Sequence, residues 1–168
     1  GLVGSEMCIR DRFVKALTEA GYLACLIPEQ YGGSGLPLQA ACVILEEIQR
    51  SGGNGAACHA QMYIMGALLS HGSEEQKSKF LPKIASGELR LQAFGVTEPD
   101  AGTDTLSIKT KAEKKYNCYL INGQKVWISR AEYSDLMMLL ARTSNKASDK
   151  KTEGLSLFLI NIQKAKDK

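Results

Sequence analysis

The chain has 168 residues, of which 44% are hydrophobic and 23% are charged, and its formal net charge at pH 7 is +3. This length and apolar content are enough to bury a core in one or two domains, which excludes wholesale disorder. The small positive charge forms no basic stripe interleaved with aromatic residues, so we expect no nucleic-acid binding. No apolar run approaches the ~20 residues that a membrane-spanning helix requires, so we expect no membrane span.

The cysteines and histidines indicate neither a disulfide scaffold nor a metal site. The five cysteines are odd in number and include no Cys-x-x-Cys pair, which favours a reducing intracellular compartment. Bacterial cytoplasm and mitochondrial matrix both remain open. His59 and His71 have no cysteine or carboxylate at the spacing of metal ligands, so we expect a structural role for each.

The first half of the chain is predicted to be helical. Residues 1–12 are unlike the rest and are expected to be a non-native leader, the alternative being a genuine but poorly ordered N-terminus. From Phe13 to about Arg90, apolar residues recur at helical spacing. This pattern predicts a short helix closed by Gly21, a loop over 22–36, and helices over 39–50 and 56–70.

A further helix is predicted after residue 72. Ser73 and Gln76 have the spacing of a capping box, in which each side chain bonds to the backbone of the other residue. We expect this helix to run to Phe80 or slightly beyond. Pro82 then begins a separate turn, which Gly87 ends.

From Leu91 onward the pattern changes from helical to alternating. It predicts strands over 91–96, 136–142 and 155–160, and a half-exposed strand in which Ile108, Thr110 and Ala112 alternate with charged residues. Asn122-Gly123 is typical of a type I′ hairpin turn, which predicts that 119–121 pairs directly with 125–128.

Two segments of this second half are candidates for a binding site. The segment 94–104 is a bent loop that contains small residues, with Thr97 and Thr103 as hydroxyl donors, and the alternative is an ordinary turn between strands. The segment 127–129 follows the predicted hairpin. Its alternative is a strand whose Trp127 packs in the core and which Ser129 merely ends.

Taken together, in this order and spacing, these segments resemble the acyl-CoA dehydrogenase family. The blocks that carry the resemblance are Phe94-Gly-Val-Thr-Glu-Pro-Asp-Ala-Gly-Thr-Asp104, Ile108-Lys-Thr-Lys-Ala112 and Ile121-Asn-Gly-Gln-Lys-Val-Trp-Ile-Ser129, with further similarity at 27–35, 72–87, 141–143 and 154–160. The resemblance covers Phe13 to about Lys164. It implies an α+β fold: part of an N-terminal α-helical bundle over 13–90, followed by a truncated antiparallel β-barrel-like domain over 91–168.

The resemblance also implies FAD as the cofactor and α,β-dehydrogenation of an acyl-CoA thioester as the reaction. Thr97 would bond the pyrimidine edge of the flavin, Trp127 would pack beside the ring, and Ser129 would bond near N5. Thr103 would serve both flavin and acyl-CoA. The full set of implied cofactor contacts is Phe94, Val96, Thr97, Gly102, Thr103, Trp127, Ile128 and Ser129.

No catalytic base is assigned within the chain. In the family the base is a carboxylate of a C-terminal helical domain, which we expect to be absent here, and Glu98 matches a residue of the motif rather than the base. The segment alone is therefore expected to be inactive and to hold FAD weakly. The parent enzyme would transfer electrons to an electron-transfer flavoprotein or a similar acceptor, and would be a homodimer or homotetramer.

Three alternatives remain open. An acyl-CoA oxidase or a flavin monooxygenase uses the same scaffold, and a non-catalytic binding module could reuse it. By resemblance, Met62 and Met65 could border an acyl tail, although methionines at helical spacing more often pack in a core.

Overall fold

The computed structural model describes residues 12–144 and 152–163. The chain divides into two compact units, Gly1–Leu91 and Gln92–Lys168, and each is described by itself. Residues 1–11 of the predicted leader lie outside the described residues. None of the helices in the described ranges combines the length and the hydrophobicity needed to cross a bilayer.

The first unit is helical. Helix α1 spans 12–19, α2 spans Leu38–Arg50, α3 spans Ala56–His71 and α4 spans Glu74–Ala85. Between α1 and α2 the chain forms two short 3₁₀ turns, Tyr22–Ala24 and Glu29–Tyr31, within the predicted loop. The helices predicted over 39–50 and 56–70 are confirmed, with ends shifted by one residue.

Helix α3 supplies much of the core of this unit, because apolar residues cover most of its surface. Cys58 and Met65 are fully buried, and Met62 is 4% exposed. The core cluster also contains Val14, Leu17, Leu23, Cys25, Ala41, Ile48 and Ala57. The two methionines are therefore core residues of this unit, as their helical spacing favours.

Helix α4 begins at the predicted capping box. Ser73 Oγ accepts a hydrogen bond from the Gln76 backbone N–H at 3.2 Å, and the Ser73 N–H donates to Gln76 Oε1 at 2.9 Å. The separate turn predicted at Pro82 is wrong, since α4 continues through it to Ala85. Proline removes only one backbone bond here, and the buried side chains of Leu81 and Ile84 keep this part of the helix packed.

The second unit is built on a five-stranded sheet. Its strands are β1 (Leu91–Gly95), β2 (Lys111–Lys115), β3 (Cys118–Asn122), β4 (Leu136–Arg142) and β5 (Leu155–Asn161). The strand order is β1-β4-β2-β3, and β5 also pairs with β4. The pairs β2–β3 and β4–β5 are antiparallel, whereas β2 meets β4 in parallel at one position. The α+β class is confirmed, and the sheet described is open and mixed, not a closed antiparallel barrel.

The hairpin predicted at Asn122-Gly123 is wrong. Strand β3 pairs with β2 instead, through a turn at Tyr116 and Asn117, and 125–128 is not a strand. Gly123 is needed for a different reason: a Cβ there would lie 2.2 Å from Thr110 Oγ1 and 2.7 Å from Thr110 Cα. The glycine permits close packing of two backbones and does not supply a left-handed turn.

The alternation predicted around Thr110 is confirmed. Ile108, Thr110 and Ala112 are buried, while the residues between them are exposed. The ladder of β2 itself starts only at Lys111, but the Arg142 N–H also donates to the Thr110 carbonyl at 2.8 Å. The start of β2 and the residue before it are therefore bonded to the end of β4.

Candidate functional site

Two loops of the second unit meet beside the end of β1. The motif loop, residues 96–104, follows β1, and the tryptophan loop, residues 125–130, follows β3. The Val126 N–H donates to the Thr97 carbonyl at 2.9 Å, which joins the loops backbone to backbone. The two segments that the sequence singles out are thus neighbours in space, although Thr97 and Val126 are 29 residues apart.

Glu98 is the buried centre of the motif loop. Its side chain is 5% exposed and accepts hydrogen bonds from the backbone N–H groups of Lys109 at 2.6 Å and Thr110 at 2.9 Å. Lys125 Nζ donates to the same carboxylate at 2.8 Å. Burial on its own raises the pKa of Glu98, but these bonds, led by that from Lys125, outweigh it and lower the pKa to about 2. Glu98 is therefore an ionised structural group and a poor proton acceptor.

Lys125 ties the tryptophan loop to the motif loop. Its side chain is only 8% exposed, and its Nζ donates to the Val96 carbonyl at 2.9 Å as well as to Glu98. A buried ammonium needs such partners, because unpaired burial of a charge is very costly. The pair is thus a fixed crosslink between the two loops.

The far end of the tryptophan loop is also anchored. Arg130 Nε donates to Gln92 Oε1 at 2.8 Å, and Gln92 lies in β1 with 1% exposure. Residues 126–129 therefore lie between two anchors, Lys125 and Arg130, both of which bond to β1 or to the residues that follow it. Both ends of the loop are thus anchored to the rest of the second unit.

Trp127 lies in the middle of this anchored loop and points into solvent. Its side chain is 89% exposed and its φ is 58°, in the left-handed region that bulky residues rarely adopt. The alternative in which Trp127 packs in the core is wrong. A strained backbone that displays a large aromatic side chain is a feature typical of binding sites.

The exposed carboxylates of the motif loop have partners within the chain. Reciprocal backbone bonds between Glu98 and Ala101 close the turn, and a Cβ at Gly102 would meet nothing within 4 Å. Asp100 is neutralised by Lys109 at 2.8 Å. The Asp104 carboxylate accepts a hydrogen bond from the Ser107 hydroxyl. Hydroxyls and open backbone remain for a ligand.

The sequence-predicted contact residues fall into two groups. Val96, Thr97 and the segment 127–129 belong to the joined pair of loops, and Phe94 lies half-buried in β1. Gly102 and Thr103 are exposed at the tip of the motif loop, and no hydrogen bond in the described part of the chain links this tip to the tryptophan loop. The structure thus brings together the two halves of the predicted site, apart from this tip.

The donors of this site fit a flavin ring. Within residues 12–144 and 152–163, the hydroxyls of Thr97, Thr103 and Ser129 form no hydrogen bond of their own. Flavin offers carbonyl and ring-nitrogen acceptors at one edge and a broad face, and these suit the free hydroxyls of Thr97 and Ser129 in the two joined loops that display the indole. The described residues hold no group of three or more His, Cys, Asp and Glu suited to a metal ion.

The helical unit has an open cavity of about 490 Å³. Its lining comes from residues 20–44 and is mostly apolar, with Tyr22 and Cys25 as the titratable members. Burial raises the pKa of Cys25, so its thiol is not an activated nucleophile. Its size makes this cavity a candidate binding site, but its lining is mostly apolar and its cysteine is not activated.

Sequence reasoning missed the two anchors of the tryptophan loop. Lys125 and Glu98 are 27 residues apart, and Arg130 and Gln92 are 38 apart, so no local spacing rule pairs them. The available signal is a lysine two residues before the only tryptophan of the sequence, in a segment whose pattern predicts a strand.

Comparisons with known proteins identify the family. Residues 5–88 match the model of the acyl-CoA dehydrogenase N-terminal domain, and residues 93–167 match that of the acyl-CoA dehydrogenase middle domain. The chain belongs to the acyl-CoA dehydrogenase family.

Individual relatives agree with this family. A glutaryl-CoA dehydrogenase of Desulfococcus multivorans is 39% identical over 155 residues, which is 89% of this chain and 39% of that protein. The crystal structure of an acyl-CoA dehydrogenase from Geobacillus kaustophilus superposes with a TM-score of 0.79 at 31% identity, covering 89% of this chain and 39% of that one. A prolyl acyl carrier protein oxidase gives a TM-score of 0.80 at 31% identity over 90% of this chain and 40% of that one. The chain therefore spans about two fifths of the length of the relatives it matches.

Proposed function

We propose that this chain is part of an FAD-dependent acyl-CoA dehydrogenase that removes two hydrogens from the α and β carbons of an acyl-CoA thioester. The observation that carries the proposal is the exposed, strained Trp127 in a loop anchored beside the motif loop. Family membership supplies the reaction class, and the site supplies residues that suit a flavin ring.

We assign roles to the residues of the two loops on their position and chemistry. Trp127 would lie against the isoalloxazine, with Ile128 beside it, and the Ser129 hydroxyl would donate near N5. Thr97 would donate to the pyrimidine edge. Phe94, Val96 and Gly102 would approach the ring through backbone and apolar contact, and Thr103 would donate to both flavin and thioester.

Bound FAD would supply the hydride acceptor of the reaction. The task of these residues is then to orient the ring and to exclude water around the thioester, which strengthens the few hydrogen bonds present. Neither Glu98 nor Asp100 suits removal of the α-proton, because each is held in an ion pair with a lysine. We propose that the base comes from a C-terminal domain, as in the family.

The partners of the parent enzyme follow from the same proposal. We infer an acyl-CoA substrate, an electron-transfer flavoprotein or similar acceptor, and a homodimeric or homotetrameric assembly. A compartment that keeps thiols reduced, either bacterial cytoplasm or mitochondrial matrix, suits the cysteines, since Cys25, Cys42, Cys58 and Cys118 are all free.

An oxidase is the second candidate, because one of the structural relatives is an acyl carrier protein oxidase. Dehydrogenase and oxidase differ in whether O₂ or a protein acceptor takes the electrons from reduced flavin. An assay of the intact enzyme decides between them. Turnover with an artificial electron acceptor but not with O₂ supports the dehydrogenase, and rapid peroxide formation supports the oxidase.

The flavin site is tested by titrating FAD into this chain and into two matched variants, and recording the flavin difference spectrum. Trp127→Leu removes the exposed indole, and we expect the spectral change to be largely lost. Tyr116→Leu is the control, because Tyr116 is 97% exposed, has a φ of 51° and lies in the β2–β3 turn. An equal response in both variants would contradict the site.

A further inference from the structure

We propose that the buried Lys125–Glu98 pair is a positioning device that sets the place of Trp127 for cofactor binding. The inference rests on the proposed flavin function and adds a specific role for two residues that would not themselves touch the ring. It is supported by the geometry of the contacts around the two loops.

The pair connects three separate segments of chain. The Glu98 carboxylate accepts the N–H groups of Lys109 and Thr110, so it is fixed to the chain that enters β2. Lys125 Nζ then joins that carboxylate to the Val96 carbonyl at the end of β1. Lys125 is the first residue of the tryptophan loop. The pair therefore fixes the start of this loop relative to both β1 and β2.

This anchor acts directly on Trp127. Val126 is held by its N–H to the Thr97 carbonyl, and the next residue, Trp127, takes the left-handed backbone that turns its side chain outward. With 89% exposure, the indole has few protein contacts of its own to hold it. Its direction is therefore set by the backbone, which the Lys125–Glu98 pair holds at one end of the loop and the Arg130–Gln92 bond holds at the other.

A purely stabilising role would not need this arrangement. An ion pair that is less than a tenth exposed is weak evidence for stability, since apolar residues of similar volume often do as well. The motif loop already has a surface pair, Asp100 with Lys109, which is about 70% exposed. A charged crosslink with fixed geometry is instead suited to holding a loop in one position.

The experiment compares the full chain with Lys125→Met, Lys125→Arg and Asp100→Asn. Time-resolved anisotropy of the single tryptophan measures how freely the indole moves, and an FAD titration measures affinity. We expect Lys125→Met to at least double the amplitude of the fast anisotropy component and to weaken FAD binding about tenfold or more. Lys125→Arg should recover part of both losses, and Asp100→Asn should behave as the parent chain.

A further variant separates positioning from folding. Lys125→Met leaves the Glu98 carboxylate buried without its cation and can fail to fold, so Glu98→Gln/Lys125→Met is measured beside it. Neither buried charge remains in this double variant, and a cooperative melt by circular dichroism establishes that it is folded. We expect the same gain in indole motion and the same loss of affinity.

The outcomes are distinguishable. Unchanged anisotropy in the folded double variant overturns the positioning role, and so does increased anisotropy with unchanged FAD affinity. If the parent chain gives no response even at FAD concentrations high enough to detect weak binding, the proposed flavin site fails, while the anisotropy still decides whether the pair positions Trp127.

Discussion

Lys125 Nζ lies 2.8 Å from Glu98 Oε1, although 27 residues separate the two along the chain and both side chains are less than a tenth exposed. The contact closes a loop of chain that contains all of β2 and β3. It places the start of the tryptophan loop next to the end of β1.

The stability of the chain should depend on pH through Glu98. The pKa of its carboxyl is lowered to about 2, so the ionised form stabilises the fold above the ordinary pKa of about 4.5. That contribution, on the order of 3 kcal/mol, is lost as the pH falls from about 4.5 to about 2. Urea unfolding at pH 7, 4 and 3 measures it. Glu98→Gln should lose this part of the acid dependence, and an unchanged slope in that variant would contradict the assignment.

Gly123→Ala should destabilise the second unit by about 2 kcal/mol or more, because the added Cβ would overlap Thr110 at both its hydroxyl and its Cα. Gly102→Ala is the matched control, since nothing lies within 4 Å of its Cβ position, and its effect on stability should stay within about 0.5 kcal/mol. Thermal unfolding of both variants measures the difference. Equal melting temperatures would show that the backbones at 110 and 123 do not pack as described.

The hydroxyl of Ser129 should matter for cofactor affinity and not for folding. Ser129 is exposed, so Ser129→Ala should leave the melting temperature nearly unchanged. Loss of one hydrogen bond, worth about 1 kcal/mol, should weaken FAD binding about fivefold. Ser129→Thr keeps the donor and restricts its rotamer, so its affinity should equal or exceed that of the parent chain. Calorimetric titration tests both, and equal affinity in the alanine variant would remove Ser129 from the site.

The four cysteines of the described residues should divide into two classes by reactivity. Cys42 and Cys118 are exposed, whereas Cys25 and Cys58 are buried. Burial raises the pKa of both buried thiols, that of Cys58 to about 12, so little thiolate forms at neutral pH. Alkylation followed by mass spectrometry should label Cys42 and Cys118 within minutes, and the other two only after unfolding. Rapid labelling of Cys58 in the folded chain would contradict the described core.

The helical half of the fold was accessible from the sequence because its signals are local. Apolar spacing predicts α2 and α3, and Ser73 with Gln76 predicts the start of α4 to the residue. The continuation of the helix through Pro82 was not predictable in this way. Proline costs a helix one hydrogen bond, but the burial of Leu81 and Ile84 stabilises the helix enough for it to continue. Tertiary packing is not visible in a local pattern.

The β half of the fold was harder to predict, because its strand pairing also depends on tertiary packing. Asn122-Gly123 has the composition of a hairpin turn, yet the glycine serves a contact with Thr110, and the actual turn places Tyr116 in the left-handed region. Both segments of the candidate site are indicated by their residues, and the resemblance to a family supplies their roles. The Lys125–Glu98 and Arg130–Gln92 anchors, which give the site its shape, could be found only once the chain was folded.

Hydrogen exchange with and without FAD tests most directly the claim that both loops converge on a flavin. The amides of the motif loop, 96–104, and of the tryptophan loop, 126–129, should slow together at a single FAD concentration, while the β2–β3 turn at Tyr116 stays unchanged. Protection of only one loop, or protection confined to other parts of the chain, would contradict the account.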